Sequence, residues 1–305
     1  MVNNNSQNVS AINTTSRINI ATIPIPLTGR AGYGLKINSQ TKKAYVANWE
    51  SSPTVSVIDT NSNTIIATVT VQNIPCGVTI NEATNTIYVT NRETGNVSVI
   101  NGTNDTVIGT ITIGTSAGPL KSIAYNAANN TIYVVNNGLN SVTAIDATTN
   151  NIKSTIPVGI MNAPAFQFAV DVDSQQNLIY VANANAGAPN SNVSVIDGSN
   201  DSVIATINVG SGPTCVKVNK STNEIYVSNL DSGYVSVLDG NNNYQVISTI
   251  TLSRPNSIAI DEMNNLIYIC NPDVSTNINV IDGNTHTIIS TIPVGSFPVG
   301  IDLLI

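Results

Sequence analysis

The chain has 305 residues, of which 41% are hydrophobic and only 10% charged, and its net charge is −7. This acidic balance, with eleven scattered Lys and Arg residues, argues against a nucleic-acid partner, which would require basic residues concentrated on one face. No stretch approaches the roughly 18 consecutive apolar residues that a membrane helix needs, so the sequence predicts no membrane span.

A tyrosine-centred pentapeptide recurs six times along the chain. In order, the copies are AYVAN (44–48), IYVTN (87–91), IYVVN (132–136), IYVAN (179–183), IYVSN (225–229) and IYICN (267–271). Their tyrosines are 43, 45, 47, 46 and 42 residues apart. A repeat of about 40–45 residues built from short alternating apolar segments is typical of a four-stranded propeller blade.

Each repeat unit divides into four predicted strands, named A to D. Examples are strand A at 77–80, strand B at 87–91, strand C at 193–197 and strand D at 203–210. The A–B and C–D connections are rich in Asn, Asp and Gly, the residues that favour tight turns. Six complete units are predicted to begin near Gly34, Gly77, Ser122, Ala169, Cys215 and Ser257.

The two ends of the chain together resemble a seventh unit. Residues 8–25 match 277–294 without a gap and so predict strands C and D, while residues 299–305 predict strand A. We therefore expect an all-β, seven-bladed β-propeller in which residues 1–305 form one domain and the termini share the closing blade. Residues 1–7 are predicted to be disordered.

The closing blade has no sequence match to strand B. It could be three-stranded, with the N-terminal strand in the B position. Alternatively, the natural protein could continue beyond residue 305, or a partner chain could donate the strand. We favour the three-stranded blade.

The pentapeptides resemble those of the YVTN-family propellers, a group that includes repeats of bacterial and archaeal surface-layer proteins. The resemblance covers residues 8–305 and implies a propeller at the cell surface or secreted. The N-terminal residues MVNNNSQNVSAINTTS show no signal peptide, so a cytoplasmic location stays open.

The third position of strand A varies in charge around the ring. In order it is Lys36, Thr79, Ala124, Asp171, Lys217, Ala259 and Asp302. Asp171 and Lys217 belong to adjacent blades, and so do Asp302 and Lys36 once the ring closes. We predict two inter-blade ion pairs near the axis; the alternative is a charged channel that binds an ion or a small ligand.

The B–C and D–A loops should emerge together on one face of the ring, which we call the loop-rich face; the A–B and C–D turns form the opposite, turn face. Aromatic residues and arginines, which are enriched at recognition surfaces, collect in these loops. The candidate ligand-binding residues are Arg30, Trp49, Arg92, Glu93, Lys121, Phe166, Asp231 and Arg254.

We therefore interpret the chain as a non-catalytic binding or cell-surface module that uses the loop-rich face. We assign no catalytic residue, metal or cofactor, and we expect a monomer with a protein or carbohydrate partner. The sole histidine, His286, is predicted to be an exposed turn residue. One alternative is a propeller enzyme of the lactonase or streptogramin-lyase type, with Arg92, Glu93, Lys121 and Asp231 at the axial opening. However, the lyases depend on histidine. A weaker alternative is a DNA-binding propeller.

Overall fold

The computed structural model describes residues 1–25, 34–49, 53–114, 120–159, 169–184, 191–272 and 276–304. Within these ranges, 28 strands form seven antiparallel sheets of four strands each. The single helix of the described ranges is a short 3₁₀ turn, Asn137–Leu139, and no described helix is long and apolar enough to cross a membrane. The predicted fold class, a seven-bladed β-propeller, is confirmed.

The strands are numbered along the chain, and every blade contains four of them in the order A to D. Blade one contains β4 (Leu35–Asn38), β5 (Lys43–Asn48), β6 (Thr54–Asp59) and β7 (Thr64–Thr70). Blade two contains β8 (Pro75–Asn81), β9 (Thr86–Asn91), β10 (Asn96–Asn101) and β11 (Thr106–Thr112). Blade three contains β12 (Leu120–Asn126), β13 (Thr131–Asn136), β14 (Ser141–Asp146) and β15 (Ile152–Pro157). Blade four contains β16 (Val170–Asp173), β17 (Leu178–Asn183), β18 (Asn192–Asp197) and β19 (Ser202–Asn208). Blade five contains β20 (Pro213–Asn219), β21 (Glu224–Asn229), β22 (Tyr234–Asp239) and β23 (Gln245–Thr251). Blade six contains β24 (Ile258–Asp261), β25 (Leu266–Cys270), β26 (Asn277–Asp282) and β27 (Thr287–Pro293). Blade seven contains β28 (Pro298–Gly300), β1 (Val2–Asn3), β2 (Asn8–Asn13) and β3 (Ile18–Pro24).

The turns between strands C and D share one feature of backbone conformation. The residue near the end of this turn adopts a left-handed conformation in every blade: Arg17, Asn63, Asp105, Asn150, Asp201, Tyr244 and His286. Asn and Asp tolerate this conformation better than other residues with a side chain. The Asn-rich and Asp-rich composition of the turns thus follows from the geometry needed to reverse the chain.

The core consists of the apolar faces of neighbouring blades. The six repeat tyrosines are 0–1% exposed, and their hydroxyls reach toward the turn face. Tyr45 Oη donates to Asp105 Oδ1 of the next blade at 3.2 Å, and Tyr133 Oη donates to Asp201 Oδ1 at 2.9 Å. The tyrosine of one blade therefore contacts the C–D turn of the next, which helps to set the spacing between the blades.

Blade seven corrects the prediction that residues 1–7 are disordered. Val2 and Asn3 form strand β1 between β28 and β2, so the blade has four strands and the favoured three-stranded blade is wrong. Asn3 Nδ2 donates to Asn8 Oδ1 and Ser10 Oγ, both at 2.8 Å. Asn183, which ends strand B of blade four, makes the same two kinds of bond. In blade seven only the final asparagine of the pentapeptide is preserved, so a search for the whole pentapeptide does not find strand β1.

Candidate functional site

Asp171 and Lys217 connect blades four and five near the axis. Lys217 Nζ lies 2.7 Å from Asp171 Oδ1, and the backbone N–H of Val218 donates to Asp171 Oδ2 at 3.0 Å. The carboxylate therefore receives one hydrogen bond from an ammonium group and one from a strand of the neighbouring blade. Both bonds are charge-assisted, which makes them stronger than bonds between neutral groups.

Asp302 and Lys36 repeat this arrangement at the ring closure. Lys36 Nζ lies 2.9 Å from Asp302 Oδ1, and the backbone N–H of Ile37 donates to Asp302 Oδ2 at 2.8 Å. The two aspartates occupy equivalent positions in blades seven and four. Lys36 is the more exposed lysine, with 40% of its side chain accessible against 28% for Lys217.

The ionisation of the Asp171–Lys217 pair is set by two opposing effects. Burial alone would raise the pKa of the Asp171 carboxyl, but the Lys217 ammonium and the hydrogen bonds outweigh it and hold that pKa below its usual value. Burial alone would lower the pKa of Lys217, but Asp171 outweighs it and raises that pKa. Both groups are therefore charged at neutral pH.

The inner strands enclose a cavity of about 240 Å³ along the axis. Its lining includes both ion pairs, together with Lys220, Tyr125 and Cys215. Lys220 lies 4.0 Å from Glu262, and burial raises the pKa of the Cys215 thiol to about 12. Asp171 and Asp302 already have cationic partners within the chain, so the cavity presents paired charges to a ligand.

Among the described candidate residues of the loop-rich face, Arg92 and Trp49 contact each other. The Arg92 guanidinium lies 5.0 Å from the centre of the Trp49 ring, which is a cation–π contact between the loops of blades two and one. Glu93, Asp231 and Arg254 are exposed. Of these five described residues, none lines the axial cavity.

Three further candidates lie wholly or partly outside the described residues. They are Arg30, Phe166 and the side chain of Lys121, whose backbone belongs to β12.

His286 occupies a half-buried site between blades five and six, and its predicted exposure is wrong. Its side chain is 15% exposed, and Nε2 lies 3.3 Å from Glu224 Oε1. The Tyr226 hydroxyl donates to Glu224 Oε2 at 2.7 Å. Glu224 and Tyr226 belong to β21 of blade five, and the position of a turn in the sequence does not show which neighbouring blade it packs against.

A ring of exposed bulge residues, which the sequence pattern did not predict, runs around the perimeter. In β19, Val203 pairs with Ile196 and Ala205 pairs with Val195, so Ile204 lies between them without a partner. All seven outer strands carry this bulge. Its residues are Ile20, Ile66, Ile108, Lys153, Ile204, Ile247 and Ile289, and the six isoleucines, which we call the isoleucine ring, are 42–60% exposed.

The bulge has a weak signal in the sequence. Strict alternation would place neighbouring residues such as Val203 and Ile204 on opposite faces of the strand. Ala205 and Ile207 already provide the apolar side chains on the inner face of this strand. The two adjacent apolar residues Val203 and Ile204 therefore indicate an irregularity in the strand at their position. A bulge at that point leaves both side chains exposed, Val203 by 37% and Ile204 by 53%.

The sequence matches no family model and no curated protein. Among solved structures, it is similar to the hydrazine synthase of Kuenenia stuttgartiensis, with a TM-score of 0.79 and 15% identity over 89% of each chain. It is also similar to the dihydro-heme d1 dehydrogenase NirN in complex with DHE, with a TM-score of 0.70 and 13% identity over 96% of this chain and 62% of that one. At these identities the likeness concerns the fold alone. The chain is thus a seven-bladed β-propeller, and its resemblance to the YVTN family stays a prediction.

Proposed function

We propose that this propeller is a non-catalytic surface module that associates laterally with copies of itself through the isoleucine ring. The observation that carries the proposal is the repetition of an exposed isoleucine at one outer bulge in six of the seven blades. A single exposed apolar side chain is ordinary. Six at equivalent positions around a perimeter form a repeated contact surface.

The outer strands also lack the usual protection of sheet edges by charge. Lys153 is the single charged residue in the seven outer strands, all of which are described. Charged residues on edge strands normally discourage association with other chains. The bulges interrupt the row of backbone groups, so we expect the contact to be made by side chains and not by a continuous sheet.

The direction of the outer strands favours a flat assembly. The seven edges point away from the axis, so contacts through them join rings side by side and leave both faces accessible. The loop-rich face, with Arg92 over Trp49, then remains open to a protein or carbohydrate partner. This is the behaviour expected of a surface-layer-like module, and it departs from the monomer expected from the sequence.

The name of one similar structure concerns a heme, and the axial cavity of this chain does not fit one. Heme iron is held by His, Cys, Met or Tyr side chains. Among the described lining residues, Cys215 has its pKa raised by burial to about 12, and the Tyr125 hydroxyl donates to Asn130 Oδ1 at 2.9 Å. His286 does not line the cavity and contacts Glu224 instead.

Sedimentation velocity over a range of concentrations tests the proposal. The triple variant Ile108→Thr, Ile204→Thr, Ile247→Thr should stay monomeric at concentrations where the unmodified protein forms larger species. Met263→Thr is the matched control because it removes an apolar side chain, 84% exposed, in an A–B turn. Lys153→Ile adds the seventh isoleucine and should strengthen association. Equal sedimentation of the unmodified protein and the triple variant would overturn the proposal.

A further inference from the structure

A third lysine lies at the turn-face end of the axial cavity. Lys220 directly follows β20 in the A–B turn of blade five and belongs to the cavity lining. Among the described residues, the carboxylate oxygen nearest its Nζ is Glu262 Oε1, at 4.0 Å. That distance is too long for a hydrogen bond. The Lys220 ammonium is therefore held by charge alone and can donate its hydrogen bonds to a ligand.

The ammonium of Lys217 also has donors in excess. An ammonium group carries three N–H donors. Within the described residues, Lys217 donates a single hydrogen bond, to Asp171 Oδ1 at 2.7 Å. Its side chain lines the same cavity, so its two other N–H groups are available to water or to a ligand there.

Ser174 supplies a neutral donor at the same end of the cavity. It directly follows β16 in the A–B turn of blade four and lines the cavity. Its Oγ accepts the N–H of Ala127 at 3.3 Å, and no described residue accepts its hydroxyl hydrogen. Because a hydroxyl both accepts and donates, Ser174 can still donate one hydrogen bond to a ligand.

The described lining of the cavity carries one positive charge in excess. Lys36, Lys217 and Lys220 are cationic, whereas the two anionic residues are Asp171 and Asp302. Burial raises the pKa of the Asp171 carboxyl, but Lys217 and Lys220 both lower it, so the two lysines act on the same carboxylate. The chain as a whole has a net charge of −7. The cavity is therefore a local site of attraction for anions on a protein that otherwise repels them.

We propose that the turn-face end of the axial cavity binds a small organic monoanion, a carboxylate, through Lys220, Lys217 and Ser174. A single excess charge matches a monoanion, and the Asp171 carboxylate would repel a second negative charge on the ligand. The cavity volume of about 240 Å³ exceeds what one water molecule needs, so a small organic acid has room. The three residues belong to blades four and five, neither of which adjoins the blade that contains the two ends of the chain.

Glu262 competes with the ligand for Lys220. Its carboxylate lies 4.0 Å from the ammonium, is 35% exposed and does not belong to the cavity lining. A bound carboxylate would take up the charge of Lys220 more closely than Glu262 does. Glu262→Gln should therefore tighten anion binding severalfold, whereas Lys220→Met should weaken it. Two partners of a purely structural ion pair would instead change in the same direction.

Nuclear magnetic resonance titration of the ¹⁵N-labelled protein with sodium acetate tests the proposal. The reporter is the amide of Val218, which donates to the Asp171 carboxylate at 3.0 Å. We expect its signal to shift and to saturate at millimolar acetate. Sodium sulfate at the same ionic strength controls for screening, and this dianion should bind severalfold more weakly. A shift that grows linearly with acetate, or equal affinity for sulfate, would overturn the proposal.

Three variants locate the site. Lys220→Met should weaken acetate binding about tenfold, the effect of losing one hydrogen bond to a charged group. Its matched control is Lys42→Met, which removes a lysine from the A–B turn of blade one, outside the cavity lining, and should leave the affinity unchanged. Glu262→Gln should tighten binding. Unchanged affinity in Lys220→Met, or weaker binding in Glu262→Gln, would contradict the assignment. None of the three alters the isoleucine ring, so the outcome is independent of lateral association.

Discussion

The carboxylate of Asp171 holds the ammonium of Lys217 at 2.7 Å across the boundary between blades four and five. The same carboxylate also accepts the N–H of Val218, the residue that follows the lysine. The Asp171 side chain thus binds both the side chain of Lys217 and the backbone of Val218 in the neighbouring blade. Asp302 does the same for Lys36 and Ile37 three blades further on, where the two ends of the ring meet.

Removing Lys217 should destabilise the ring more than removing Lys36. Lys217→Met leaves a largely buried carboxylate without its cation, which costs about 3–5 kcal/mol. Asp302 is as buried as Asp171, but Lys36 is 40% exposed against 28% for Lys217, so water screens more of its attraction to the carboxylate and Lys36→Met should cost less than Lys217→Met. Unfolding in urea, monitored by Trp49 fluorescence, measures both free energies.

The double variant Asp171→Asn, Lys217→Met is the control for this comparison, because the amide oxygen of Asn can still accept the N–H of Val218. It removes both charges together, so its stability should recover most of what Lys217→Met loses. A double variant as unstable as the single one would show that the lysine stem, and not the charge pairing, supports the blade boundary.

The Asp171 contribution should be lost in acid. The pKa of Asp171 is lower in the folded chain than in the unfolded chain, so its stabilising effect is complete above the unfolded value of about 3.9 and disappears as the pH falls through the folded value. The unmodified protein should therefore lose more stability than Asp171→Asn between pH 5 and pH 2, roughly one unit above to two units below that value.

Urea unfolding at several pH values gives the measurement. The carboxyls of Asp59, Asp146, Asp197 and Asp282 also have lowered pKa values, but they are present in both proteins and cancel in the difference. A stability difference that stays constant over this pH range would contradict the assignment.

Much of the ring could be predicted from the sequence because each blade repeats the same physical requirements. The pentapeptide predicts strand B, and the composition of the turns predicts where the chain reverses. The charged residues at the third position of strand A predict two ion pairs between blades, formed by Lys36, Asp171, Lys217 and Asp302. In the structure these four residues form two contacts of 2.7 and 2.9 Å.

What the sequence could not show depends on register and on packing between blades. Strand β1 was missed because only Asn3 carries the repeat there. The isoleucine ring depends on a bulge, which shifts pairing by one residue and turns Ile204 outward without changing composition. The burial of His286 depends on Glu224, which lies 62 residues earlier in the chain and in the neighbouring blade. The alternation of apolar and polar residues along a single strand predicts none of these features.

Asn3 should contribute measurably to closure of the ring. Its amide donates two hydrogen bonds in a fully buried position. Asn3→Ala leaves Asn8 and Ser10 without this donor, and the loss of such buried bonds costs about 1–3 kcal/mol. Thermal unfolding should show a lowered midpoint for Asn3→Ala and an unchanged one for Asn151→Ala, which alters an exposed turn asparagine. Equal midpoints for all three proteins would mean that β1 does not contribute to closure.

The three cysteines should be unreactive in the folded protein. Cys76, Cys215 and Cys270 are buried and form no disulfide. Burial raises the pKa of Cys215 and of Cys270 to about 12, and the thiolate is the form that reacts with alkylating agents. Mass spectrometry after iodoacetamide treatment at pH 8 should find no labelling of the native protein within hours and three labels in denaturant. Rapid native labelling would contradict this burial.

These unreactive thiols allow the most direct test of lateral association. Ile108→Cys and Ile247→Cys each place one accessible thiol in the isoleucine ring, and Met263→Cys places one in an exposed turn away from it. On mild oxidation, we predict that the two ring variants form disulfide-linked pairs several times faster than the Met263→Cys control at the same concentration. Equal rates of cross-linking in all three variants would contradict association through the perimeter.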